Sequence, residues 1–113
     1  MRINFLSQAD EASFSEMKHS GSELAEIFSS FSVQLGMETD YSELMLSFDS
    51  EDILRIEIED SPYTVILNEL HQVILLEQEG RSDTVEEVFD EDGIESLVDI
   101  ISSRILSDED YGF

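Results

Sequence analysis

The sequence contains no cysteine, a single proline and only 5 lysine and arginine residues in 113. Without cysteine there is no disulfide framework, no thiolate zinc site and no cysteine nucleophile, so the cytoplasm is the simplest compartment to expect. Long apolar runs are missing too. Nowhere do about 18 apolar residues follow one another, and Arg2 near the start is not followed by a long apolar stretch. Neither a membrane span nor a secretion signal is expected. Enzyme signatures are likewise absent: there is no glycine loop to cradle phosphate, no Gly-x-Ser-x-Gly elbow and no His-Glu-x-x-His zinc helix. His19 and His71, the only imidazoles, are expected to be ordinary surface histidines.

The shortage of basic residues stands against 28 aspartates and glutamates, a formal charge of −23. Such an excess opposes compaction through self-repulsion and disfavours approach to the phosphates of nucleic acid or an anionic lipid surface. Direct binding to nucleic acid or membrane is therefore not expected. At 41% hydrophobic residues the chain can still bury a core, which argues against a wholly disordered acidic tail. Residues 1–113 are read as one acidic domain of ordinary size, with a short frayed tail from about 107. The charge serves solubility, hydration in a salt-loving source, or a basic partner. A core rich in Ile and Leu and poor in Ala departs from the Ala-rich and Val-rich pattern expected of a halophile.

Arg2 to Leu6 reads as a short strand, followed to Ser20 by a loop or weak helix with Phe14 and Met17 as anchors. Ser20 and Glu23 have capping-box spacing ahead of Leu24, Ile27, Phe28, Phe31 and Leu35, an amphipathic helical stripe with Gly36 placed as its C-terminal cap. Two strands follow, through Leu44 to Phe48 and Leu54 to Ile58, joined across Asp49 to Asp52. From Ser61 to Gly80 a hairpin of Thr64–Leu67 and Val73–Leu76 is preferred. A helix opening at Ser61 and Pro62 is the competing reading. Thr84 and Glu87 repeat the capping-box spacing before Val85, Val88 and Phe89, and Ile94, Leu97, Val98, Ile101 and Ile105 define a second helix, with Gly93 as a break between the two. The fold class is α+β: a mostly antiparallel sheet of four or five strands with two or three helices packed on one face.

The Asp90, Glu91, Asp92, Gly93 sequence resembles part of a calcium loop, but placing Gly93 at the sixth position puts Val88 at the first ligand position and Asp99 at the last. The match fails, and acids stabilising a helix N-terminus explain the run. No metal or cofactor is expected. More informative is the distribution of carboxylates. Glu57 and Glu59 share a strand face about 6.6–6.8 Å apart, while acids three or four apart on a helix stand about 5–6 Å apart. Both spacings lie near that of successive phosphates along a nucleic-acid strand. Candidate residues for a phosphate-like surface are Asp49, Glu51, Asp52, Glu57, Glu59, Asp60, Glu86, Glu87, Asp90, Glu91, Asp92, Glu95, Asp99, Asp108, Glu109 and Asp110. Tyr41, Tyr63, Tyr111 and Phe113 are candidate aromatic anchors.

In charge, size and α+β build the chain resembles phage-encoded nucleic-acid mimics, including some anti-CRISPR and anti-restriction proteins, and the immunity proteins of bacterial nuclease toxins. The likeness carries no motif and transfers no residue. It implies a non-catalytic inhibitor in the cytoplasm of a bacterial host, with a basic nucleic-acid-binding protein (nuclease, Cas effector or toxin) as partner. An acidic protein–protein adaptor unrelated to nucleic acid is the alternative.

Because the acids repel one another, screening should stabilise the fold. The melting temperature at pH 7 is expected to rise from low to moderate NaCl. A flat or falling temperature would mean that structure or bound cations already compensate the charge.

Overall fold

Alternation of side chains between two faces organises six segments of the chain into one six-stranded sheet. The computed structural model describes the backbone of residues 1–110 and the side chains of residues 1–105. In chain order the elements are β1 (Arg2–Phe5), α1 (Gln8–Ser20), α2 (Glu23–Glu38), β2 (Glu43–Ser50), β3 (Ile53–Ile58), β4 (Tyr63–Asn68), β5 (Val73–Gln78), β6 (Val85–Val88) and α3 (Glu91–Asp110). The spatial order of the strands follows their order in the chain. β1 pairs with β2 in parallel across the two-helix connection, and every later pair is antiparallel. The α+β class holds and the sheet is mostly antiparallel, but it has six strands where four or five were expected, and its β1–β2 pair is parallel.

Register sets the two faces. Leu44 faces Ile58, Leu46 faces Ile56, Leu54 faces Leu67, Val65 faces Leu76 and Leu67 faces Ile74, so these aliphatic side chains of β2 to β5 point to one side. That side meets Phe14 and Met17 of α1, Leu24, Ile27, Phe28, Phe31 and Leu35 of α2, and Ile94, Leu97, Val98 and Ile101 of α3 in a single buried cluster. Each Leu, Ile or Phe so buried contributes about 1.5–3 kcal/mol.

The hairpin reading of 61–80 holds. Ser61 closes a turn, its hydroxyl donating to the Ile58 carbonyl at 2.7 Å and accepting from Tyr63 N–H at 3.1 Å, so the Ser-Pro pair opens a strand and not a helix. Other expectations are corrected. The stretch before Ser20 is a full helix, α1, capped by Ser7, whose side chain accepts from Asp10 N–H. Gly21 ends it in the left-handed conformation (φ 63°), which moves the start of α2 to Ser22. Ser22, not Ser20, accepts from Ala25 N–H, at 3.2 Å. Gly36 does not end α2. Thr39 does, its hydroxyl and its N–H both donating to the Leu35 carbonyl at 2.7 and 3.0 Å.

The capping-box spacing of Thr84 and Glu87 misleads in the same way. Val85 to Val88 pair with β5 as a strand, and the cap of α3 is Asp90, whose carboxylate accepts from Gly93 N–H at 2.8 Å. Gly93 is thus inside the first turn of α3. A Cβ there would overlap the Val88 carbonyl oxygen, so the residue marks a close approach of helix to strand and not a break. The tail expected from 107 continues as α3 to Asp110, and residues 111–113 lie outside the described residues.

Two glycines in helices should respond oppositely to one substitution. At Gly36 a Cβ meets only Met1 Cε at 3.9 Å, so Gly36→Ala should stabilise by about 0.5–1 kcal/mol through reduced chain entropy and better helix propensity. Gly93→Ala should cost at least about 1–3 kcal/mol through overpacking. Urea midpoints of the two variants measure this, and a neutral Gly93→Ala would contradict the close approach.

Candidate functional site

The carboxylates divide into those the fold uses and those it does not. Asp10 of α1 accepts from the Ser7 hydroxyl at 2.7 Å and from Phe48 N–H of β2 at 2.9 Å, tying helix to sheet. Those bonds, the Ser7 hydroxyl first, hold its pKa below the ordinary aspartate value against the opposing effect of desolvation. Glu69, in the turn after β4, accepts from Leu24 N–H at 2.8 Å and so caps the start of α2 from a distant part of the chain. Asp83 accepts from Arg81 at 3.0 Å and lies 4.0 Å from Arg104, while Arg104 also donates to Gln78 at 2.8 Å. The Arg81 hydrogen bond lowers the Asp83 pKa, and the same bond raises that of Arg81.

The few cations are spent in this way. Arg2 pairs with Glu43 and Arg55 with Asp49, both at 3.7 Å, Arg81 and Arg104 share Asp83, and Lys18 stands 5.5 Å from the Phe14 ring centroid. Among the described residues the ion pairs engage only Glu43, Asp49 and Asp83. No charged side chain among them is buried. Most of the other acids among the described residues therefore face water without a cation partner.

The sequence-selected acids fall into separate places. Glu57 of β3 and Glu86 of β6 lie on the sheet face opposite the helices, as does Glu77 of β5, which the strand alternation also indicates but which was not selected. Glu59 does not extend that strand face, because β3 ends at Ile58 and Glu59 opens the turn. Asp60 follows it in the left-handed region (φ 61°), a conformation that short polar side chains tolerate. Asp49, one residue before the end of β2, is in its ion pair, and Glu51 and Asp52 form the β2–β3 turn. Glu87 is half-buried opposite Ile74 on the helix-covered side. Asp90 is the α3 cap.

Beyond that cap the structure assembles a row. Glu91, Glu95 and Asp99 are exposed at four-residue spacing along α3. The α2–α3 groove is lined by Gln34, Met37, Glu38, Glu95, Val98 and Asp99, and an adjoining hollow is lined by Glu26 and Glu91 together with Lys18. Glu26 and Glu38 were missed because they are polar positions of a helix read only for its apolar stripe. Asp92 is exposed in the first turn of α3, and the side chains of Asp108, Glu109 and Asp110 lie outside the described residues.

Tyr63 is 2% exposed and belongs to the core, so it is not a surface anchor. Tyr41 is half-buried with its ring 6.4 Å from that of Tyr63. Tyr111 and Phe113 lie outside the described residues. His19 lies in the last turn of α1 and His71 in the β4–β5 turn, and both are exposed. Among the described residues no three metal-ligating side chains converge, and no helix is long and apolar enough to cross a membrane.

The lowered pKa of Asp10 fixes the sign of a pH effect. A depressed folded-state pKa stabilises above the ordinary aspartate range, and the contribution fades as pH falls through the folded-state value. Protonation of the exposed acids acts the other way by relieving repulsion, so the informative quantity is a difference. The gap in urea midpoint between the native chain and Asp10→Asn should be widest near pH 7 and close on acidification. A gap independent of pH would contradict this role.

No family model, no curated protein and no solved structure matches the chain, so its function is read from the surface alone.

Proposed function

We propose that this protein is a non-catalytic acidic inhibitor that binds the basic nucleic-acid-binding surface of a nuclease or defence complex in place of DNA or RNA. The observation that carries the proposal is the carboxylate row on α3. Glu91, Glu95 and Asp99 stand at a spacing of about 5–6 Å, near that of successive phosphates, and Glu26 and Glu38 of α2 widen the row into a band. None of these acids has a cation partner among the described residues. They sit on helices packed into the core, so their geometry is held in advance of binding. A rigid anionic band matches a groove built for phosphate, and it attracts that groove over distances beyond contact.

Such a mechanism acts mainly through encounter. Long-range attraction raises the association rate and makes it fall with salt, while short-range contacts set the lifetime of the complex. An immunity protein would use the same attraction on one toxin without needing to overlap its nucleic-acid groove.

The test uses a basic partner captured from bacterial lysate at low salt and eluted as salt rises. Glu95→Lys with Asp99→Lys should slow association about tenfold or more and flatten its salt dependence. Both positions are exposed, so the fold should persist by circular dichroism. Nucleic acid should compete with the native chain for the partner. Simultaneous binding of both to one partner, with rates indifferent to the reversals, would reject the phosphate-mimic proposal in favour of an adaptor.

A further inference from the structure

The helices cover one face of the sheet, and the other carries an apolar patch. On it Ile66 of β4 stands opposite Leu75 of β5, Val73 of β5 opposite Val88 of β6, and Ile53 of β3 diagonal to Ile66. These five side chains span four strands, three inter-strand steps of about 4.8 Å, with Asn68 between Ile53 and Val73. Ile66 is 8% exposed yet stands outside the core cluster, so its neighbours on this face bury it without any helix above. Val88 at the far end is 63% exposed. A sheet normally buries its apolar face against another element, and here that element is missing from the chain's described residues.

Acids predominate around the patch. Glu57 and Glu77 flank Thr64 in the adjoining row, and Glu86 lies opposite Leu75. None of the three forms an ion pair among the described residues, while Arg55, beside Ile66, is held by Asp49 at 3.7 Å. We propose that this face docks a cationic amphipathic helix of a partner protein. The patch width, about 14 Å from the strand spacing, accommodates a helix of about 10–12 Å diameter. Leucine-type side chains would cover Val73, Leu75 and Val88, and flanking lysines or arginines would reach Glu57, Glu77 and Glu86. A second copy of this chain brings another charge of −23 and is repelled, as is an anionic membrane. The inference shares with the inhibitor proposal only the basic character of the partner and needs no nucleic acid.

The probe is a helical peptide of about 18 residues made of leucine and lysine, with leucines at i, i+3, i+4 and i+7, set against a scrambled peptide of the same composition. Amide shift changes in the full chain should gather on β3 to β6 at open-face positions, and the ordered peptide should bind about tenfold or more tightly than the scrambled one. Leu75→Thr with Val88→Thr keeps strand propensity and should weaken binding about tenfold with an unchanged circular dichroism spectrum. The α3 reversals Glu95→Lys with Asp99→Lys should leave peptide binding largely in place. Equal binding of both peptides, or shifts centred on α3, would reduce the effect to charge alone and overturn the docking site without touching the inhibitor proposal. Sedimentation showing a dimer that Val88→Thr dissolves would overturn it in favour of self-association. Docking retained while nucleic acid fails to compete for the lysate partner would leave this inference standing and remove the other.

Discussion

Five cations cannot neutralise 28 carboxylates, and every other feature of the structure accommodates that imbalance. The attraction that holds the chain must be apolar, because its electrostatics are on balance repulsive. The interior is built accordingly, with no charged side chain buried among the described residues and with three helices placing aliphatic and aromatic groups against one face of the sheet. A buried carboxylate would add a desolvation cost to the existing repulsion. The acids are driven to the surface, and their arrangement there is what the fold has left to vary.

A few carboxylates are drawn back into structural work, at places where backbone N–H groups would otherwise lack partners. Asp90 caps α3, Glu69 caps α2 across the fold, and Asp10 takes the N–H of Phe48. A negative charge is favourable at a helix start, where the dipole and the free N–H groups are positive. The scarce cations brace local joints, notably Asp83 between Arg81 and Arg104. Among the acids that remain unpaired, two groups form distinct surfaces. One is the carboxylate band on α2 and α3, suited to long-range attraction. The other is the open sheet face, where acids frame an apolar patch suited to short-range affinity. A basic partner with an exposed amphipathic element would find both kinds of complementarity on one small protein.

Much of this was legible in the chain itself. Leu24, Ile27, Phe28, Phe31 and Leu35 mark α2, and the alternation through Leu44–Phe48 and Leu54–Ile58 marks β2 and β3, because period 3.6 and period 2 leave different traces. The net charge, the missing cysteines and the absence of enzyme signatures were equally plain. Element ends were harder, since capping side chains act only within a backbone already placed. Ser20 has the spacing of a cap, yet Gly21 closes α1 after it and Ser22 does the capping. Gly36 has the identity of a terminator, yet Thr39 supplies the bonds.

Tertiary structure alone decided the rest. Whether Val85–Val88 is a helix start or a strand depended on the free edge of β5, which a capping-box spacing does not report. Gly93 is a glycine because the Val88 carbonyl occupies the place of a side chain, a constraint from a different element. The acids that share a surface do so by register and helix packing, which bring Glu26 and Glu38 to the α3 row and send Glu57, Glu77 and Glu86 to the opposite side of the sheet. Composition and periodicity set what each segment prefers, since both act locally. Which preferences are met, and which side chains meet one another, follows from long-range pairing that no single segment contains.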